Sequence, residues 1–426
     1  MQNINLRGMN FPVKTIVLML ALSMSTFVQA EDTPSDSELM DGFPPTQVVT
    51  KENWLMPPFN RWSFQNIEKI APTATIHRGH QPLSELEHAP QSQKDAYANL
   101  KIAKGLSVAD YIEQNLVDGL LVLKNGKIVA EHYSNEQDAD TRHIMFSVGK
   151  SYTGIMAETL VFEGTLDDTK LVPHYVPELA ESGYADATVR QVMDMLVDLN
   201  FSEDYGDPYS DISQFIYAAG LGKAPEGVKV YPSLYAFLPT LTKEGEHGKK
   251  WEYVSATTET LGWIMSRATN KSWVELFEEM IYQHISPRRD ATIIVDSLGK
   301  AAAAGGMSMT LRDVGRFAHL VSNDGRYGGK QVVPNEVIAT IKKGGDKSKF
   351  RSFLPDSSEQ SYKSQWYHDG ASETLSGFGI NGQAIEIGLN NQVIIITQSS
   401  WPAAGTPQHW MRRIAYRKAV HEALGK

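Results

Sequence analysis

The 426-residue sequence contains no cysteine. That absence excludes disulfides, a thiolate nucleophile, cysteine-ligated zinc and a lipid anchor on sulfur. A long basic run is also missing. With 50 acidic residues against 40 Lys and Arg, the net charge is −10, the wrong sign for a nucleic-acid surface. No internal repeat or low-complexity block interrupts the chain. Long apolar runs are absent except at the N-terminus, where "TIVLMLALSMSTFV" (15–28) follows Arg7 and Lys14 and ends at Val28-Gln29-Ala30 before the acidic "EDTPSDSE". A basic start, a short apolar core and small residues at the break describe a secretory signal peptide rather than a membrane span. Residues 1–30 are therefore expected to be removed after Ala30. The product would be a periplasmic or secreted protein with no stable membrane insertion.

What is present describes a globular body. Hydrophobic residues make up 42% and charged residues 21% of the chain, enough to bury a sizeable core. Residues 31–60 are polar and proline-containing, which suggests a tether before a folded domain over 61–425. In "DGLLVLKNGKIVAEHYS" (118–134) two apolar strands flank Asn125-Gly126, the pair preferred in a tight hairpin turn because both positions need positive φ. "GFGINGQAIEIG" (377–388) and "QVIIITQSS" (392–400) make a second hairpin, with a helical pattern from about Gln408 to Leu424. The middle reads as helices separated by loops at 200–250 and 344–376. The expected class is α/β (α+β). An antiparallel sheet from about 105–140 and 375–425 would be covered by helices, with an inserted, mainly helical part at about 150–345 and a site in the cleft between them.

One short motif carries chemistry. In "MFSVGKSYTG" (145–154) Ser147 precedes Lys150 by three residues, and positions i and i+3 share a helix face. A helix starting close to Ser147 would present free N–H groups and the positive end of its dipole, which favour an alkoxide and help depress the lysine pKa. The same spacing recurs at Ser297 and Lys300. There the double glycine of the following "AAAAGG" stops a helix early, so Ser297 reads as an N-cap serine with a solvated lysine.

A serine that forms an acyl-enzyme also needs a proton carrier for the leaving group and an oxyanion hole. Tyrosine can serve if nearby cations lower its pKa. Tyr-x-Asn/Ser occurs at Tyr97, Tyr133, Tyr231, Tyr253 and Tyr362. Tyr231 remains open, but Tyr253 is preferred. It stands in "WEYVSATTETLGWIM", just ahead of a helix that Ser255, Thr257 or Thr258 could cap, and it brings the Ser255 hydroxyl with it. His77-Arg78-Gly79-His80 reads as an exposed loop rather than a metal site. No metal or cofactor is required. Trp366 and Tyr367 either wall an apolar pocket or pack as ordinary core aromatics.

Together "GLLVLKNGKIVAEHY", "FSVGKSYTG", "TVRQVMDMLVDLNFSEDYGDP", "WEYVSATTETLG", "AAGGMSMTLRDVGRFA" and "GFGINGQAIEI" resemble the serine β-lactamase and penicillin-recognising superfamily. The match is closest to its esterase and 6-aminohexanoate-dimer hydrolase branch. The resemblance covers roughly residues 55 to 420 and implies a five-stranded antiparallel sheet with flanking helices and a helical domain. It implies Ser147 as the acylated nucleophile, Lys150 as its base and Tyr253 as proton relay, with the amides of Ser147 and Ile380 as oxyanion hole. Tyr205, in the acidic loop "SEDYGDPYSD", would line the substrate pocket with Ser255, Trp366 and Gly379, although that loop also reads as a solvated surface.

One departure matters. Penicillin-binding relatives carry Lys-Thr/Ser-Gly on the strand where this chain has Phe378-Gly379-Ile380, so the cation and hydroxyl that hold a substrate carboxylate are missing. An exported hydrolase of small-molecule esters or amides is therefore expected. The rivals are a D-Ala peptidase or β-lactamase, a non-catalytic binding or sensor protein on the same fold, and a membrane-tethered version that keeps the first 30 residues.

Overall fold

A computed structural model describes residues 48–350 and 358–425. The expected signal peptide and residues 31–47 of the expected tether lie outside the described residues. Among those described, no helix is long and apolar enough to cross a membrane.

The main sheet has seven antiparallel strands. They are β2 (Val117–Lys124), β3 (Lys127–Tyr133), β9 (Gln360–Lys363), β10 (Trp366–Asp369), β11 (Thr374–Gly379), β12 (Gln383–Gly388) and β13 (Val393–Ser399), in the spatial order β3-β2-β13-β12-β11-β10-β9. Both chain ends supply it. β2 and β3 turn at Asn125 (φ 52°) and Gly126 (φ 74°), as that dipeptide predicts. A second sheet joins β1 (Thr73–Ile76), β4 (Arg142–Ile144), β5 (Ala291–Ile294) and β6 (Met307–Thr310) in the order β1-β5-β6-β4, and β7 (Arg326–Tyr327) pairs with β8 (Lys330–Gln331).

The main sheet exceeds the expected five strands because β9 and β10 add a hairpin in a stretch read as loop. Its turn residues, Ser364 (φ 45°) and Gln365 (φ 66°), adopt the left-handed conformation that Asn-Gly normally signals. Their side chains and amides are held from outside. The Ser364 N–H donates to Asp194 Oδ1 at 3.0 Å, and Gln365 Nε2 donates to Met193 O at 2.9 Å. The strands of the second sheet are three or four residues long, too short for a two-residue period to stand out.

Of the helices, α1 (Gly149–Phe162), α2 (Asp211–Ala218), α3 (Ser255–Thr269), α4 (Leu311–Ser322) and α5 (Pro407–Leu424) carry the site or cover the sheet. Strand β2 is buried on both faces. Leu121 and Leu123 join the core containing Phe317 of α4, whereas Leu120 and Val122 pack with Tyr416 and Val420 of α5. That double burial explains why "LLVL" and "VIII" are continuous apolar runs rather than alternating ones.

Helix α1 is buried from Gly149 through Leu160, the environment of a central core helix. Its Gly154 faces the β9–β10 turn so closely that an added Cβ would lie 1.9 Å from Ser364 O. Gly154→Ala should therefore cost at least about 1–3 kcal/mol, read as a lowered thermal midpoint. An unchanged midpoint would contradict this packing.

Candidate active site

Ser147 sits in a single 3₁₀ turn, Phe146–Val148, that runs directly into α1. The turn is entered through Phe146 at φ 44°, a costly conformation for a bulky aromatic that its surroundings must enforce. Phe146 packs against Phe64 (4.9 Å between ring centroids) and Trp54 (5.8 Å). Both partners come from the segment preceding β1. Trp54 is buried and packs on the body although it falls within the stretch read as tether.

Lys150, one helical turn on, is fully enclosed. Its Nζ donates to Ser147 Oγ (2.8 Å), Ser255 Oγ (3.1 Å) and Ala304 O (2.9 Å). Three oxygens thus fix the nitrogen against the serine. Burial pushes the Lys150 ammonium down to about 8, against the pull of Glu203 and Glu259, whose charges favour its protonated form.

Those two carboxyls were not singled out from the sequence. Glu203 accepts the Ser255 N–H at the start of α3, and its other oxygen accepts from Tyr205 Oη at 3.1 Å. Ser255 makes no cap of its own: Val254 is the N-cap, without a side-chain bond. Glu203 supplies the acceptor from another loop, and the Ser255 hydroxyl is left for Lys150. Glu259, on α3, accepts the Ala304 N–H at 3.3 Å, steadying the residue whose carbonyl holds Lys150. Burial pushes its carboxyl up to about 8, with Asp296 adding to the rise.

Tyr253 lies beside this group, with Lys150 Nζ 5.0 Å from its ring centroid. The lysine meets the ring face, however, and burial together with Tyr367 and Tyr362 drives the phenol well above its ordinary range. The expectation of a cation-lowered tyrosine is corrected: the hydroxyl is firmly protonated. Tyr367 stacks on Tyr253 at 6.4 Å and meets Phe378 at 5.4 Å, and Trp251 adjoins both tyrosines. The other tyrosines of the pattern lie elsewhere: Tyr97 bonds Tyr416, Tyr133 bonds Glu131, and Tyr231 packs on Phe237. Tyr362 packs on Tyr367 from β9.

Strand β11 closes one side. At Gly379 an added Cβ would come within 2.5 Å of Met145 O, and at Gly377 within 2.5 Å of Ser151 Oγ. These glycines let the strand approach the serine turn, which brings Ile380 to the same cavity as Ser147. That cavity, about 580 Å³ and open to solvent, is lined by Ser147, Ser255, Tyr205 and Ile380 together with apolar side chains from α2 and the β5–β6 region.

Two expected pocket residues do not line it. Gly379 serves close packing instead. Trp366 is wholly buried, stacks on Phe317 at 6.3 Å and donates from Nε1 to Ser151 O at 3.2 Å. On a strand, neighbours point to opposite faces, so Tyr367 rather than Trp366 reaches the site.

The second Ser-x-x-Lys pair makes no such assembly. Ser297 Oγ donates to Pro232 O in an exposed turn, and Lys300 lies over Tyr235. His77 pairs with Asp290 at the surface. A family model described as Beta-lactamase matches residues 108–397, spanning the serine turn, Tyr253 and β11. The chain belongs to the β-lactamase family.

Within this family of serine hydrolases the chain is 34% identical to the 6-aminohexanoate-dimer hydrolase of Paenarthrobacter ureafaciens over 367 residues, 85% of this chain and 90% of the relative. A Bacillus anthracis structure, assigned by inference as a 6-aminohexanoate-dimer hydrolase, superposes with a TM-score of 0.80 at 26% identity. It covers 88% of this chain and 97% of that one. A family VIII carboxylesterase shares the fold at a TM-score of 0.57 and 16% identity, over 80% of this chain and 99% of that one. The β-lactamase family fold and a hydrolase activity follow.

Proposed function

We propose that this hydrolase cleaves a small-molecule ester or amide through an acyl-enzyme on Ser147, in the periplasm or outside the cell. The observation that carries the reading is the enclosed Lys150 Nζ, 2.8 Å from Ser147 Oγ with its proton affinity lowered by burial. In the neutral state this amine takes the serine proton as Oγ bonds to the carbonyl carbon. The oxyanion is held by the Ser147 and Ile380 amides. The bond to the leaving oxygen or nitrogen then breaks. The leaving atom takes a proton from the Tyr253 hydroxyl, and the proton taken up by Lys150 returns to the phenol through solvent, because the lysine meets the ring face rather than the hydroxyl. Water attacks the acyl carbon, releasing the acid and restoring the serine O–H.

Phe378, where penicillin-recognising relatives place a lysine, gives a substrate carboxylate no cation, and this disfavours β-lactams and D-Ala peptides. Treatment with a fluorophosphonate should add one phosphonyl group, and peptide mapping should place it on Ser147. Modification at any other residue, or none, would overturn the proposal.

A further inference from the structure

We infer that the cavity beside Ser147 is the acyl pocket, and that the acyl group it takes is an uncharged aliphatic chain longer than acetyl. This rests on the acyl-enzyme reading above and specifies its substrate.

The first argument is direction. Ser147, Ser255 and Ile380 line the cavity, but Tyr253 does not. The proton donor instead faces Trp251 and Tyr367. A leaving group protonated by Tyr253 must sit on that aromatic side, which leaves the cavity for the other half of the substrate.

The second argument is the chemistry of the walls. Leu55, Ile212, Phe215, Ile216, Leu221 and Ile294 form much of the surface, and no Asp, Glu, Lys, Arg or His belongs to the lining among the described residues. Its hydroxyls are those of Ser147, Ser255 and Tyr205, and Trp54 adds an indole N–H, a donor that gives an ammonium no acceptor. Tyr205 already donates to Glu203. A terminal ammonium or carboxylate on the acyl chain would therefore be stripped of water and left unpaired, which such walls penalise heavily. Each methylene, by contrast, gains from burial until the chain meets the far wall.

This separates the chain from its relative's named substrate. A dimer of 6-aminohexanoate carries an ammonium at the far end of its acyl half, and this pocket offers that charge no partner.

The test uses the whole protein and p-nitrophenyl esters from acetate to octanoate. Burial of about 0.8 kcal/mol per methylene converts to roughly fourfold in kcat/KM, so hexanoate should exceed acetate by at least about tenfold. Hexanoate should also exceed its 6-trimethylammonio analogue, and the half-ester of adipate, by at least about 30-fold. Leu55→Asp should narrow the gap for the cationic ester, and Ala219→Phe should move the optimum to shorter chains.

A flat series, an acetate optimum, or equal turnover of the cationic ester would overturn the inference, and the wild-type data decide this even if a variant fails to fold. If hydrolysis requires Ser147 but ignores chain length and charge, this inference alone falls. If no ester is turned over and the fluorophosphonate does not label Ser147, the acyl-enzyme reading falls with it.

Discussion

Ser147→Ala should reduce p-nitrophenyl ester hydrolysis by at least about 10⁴-fold while leaving the fold intact. The magnitude follows from removing the proposed nucleophilic atom: what survives in serine hydrolases without their nucleophile is stabilisation by the oxyanion hole and binding alone. The fold should hold because Lys150 keeps its bonds to Ser255 Oγ and Ala304 O after the serine oxygen is gone. The backbone at Phe146 is set by Phe64 and Trp54 rather than by the serine side chain. Circular dichroism and the thermal midpoint should match wild type. Ser297→Ala is the control, since that serine sits in an exposed turn and bonds Pro232 O. If Ser147→Ala kept more than a few per cent of activity, or Ser297→Ala lost most of it, the nucleophile would be misassigned.

The contrast between these two serines shows how much of the site was legible in the sequence. Ser147 and Lys150 could be paired because helical geometry fixes what three residues of spacing means, and because a glycine stop after Lys300 made the second copy different. Tyr253 could be chosen from five candidates because it precedes a helix. Its protonation could not be judged. That depends on Tyr362 and Tyr367, more than 100 residues away, and on a lysine that meets the ring face rather than the hydroxyl.

Glu203 and Glu259 escaped for the same reason. In sequence one is a member of an acidic loop and the other a polar residue in an amphipathic helix. Only folding places them against the Ser255 and Ala304 amides. The sheet built from both chain ends was readable because its central strands are long and its first turn is Asn-Gly. The β9–β10 hairpin was not, because Ser364 and Gln365 hold positive φ through tertiary hydrogen bonds rather than intrinsic preference. Misreading that hairpin as a loop hid the alternation that sends Trp366 inward and Tyr367 toward Tyr253.

Lys150→Met should lower kcat by about 10³–10⁴-fold and change the shape of the pH profile, which a merely structural lysine would not do. In the wild type, Lys150 can accept the serine proton only when neutral. Activity should therefore rise with pH through about 8 and level off above it. The methionine variant retains the volume of the lysine stem but has no titrating nitrogen, so its residual activity should lack that limb.

The same lysine affects stability in a definite direction. Its pKa is lower folded than unfolded, so between about 8 and 10.5 the unfolded chain binds the extra proton and this group's contribution to stability rises with pH. Methionine removes that contribution, and the variant's stability relative to wild type should be greatest below pH 8. Two neighbours work against this gain. Glu203 and Glu259 lose the cation that faces them, and their own burial already favours the neutral acid, so both should take up protons more readily in the variant. A variant that kept a tenth of wild-type kcat with an unchanged limb near pH 8 would show that another group is the base. Glu259, the other buried acid near 8, would then be the first to replace, as Glu259→Gln.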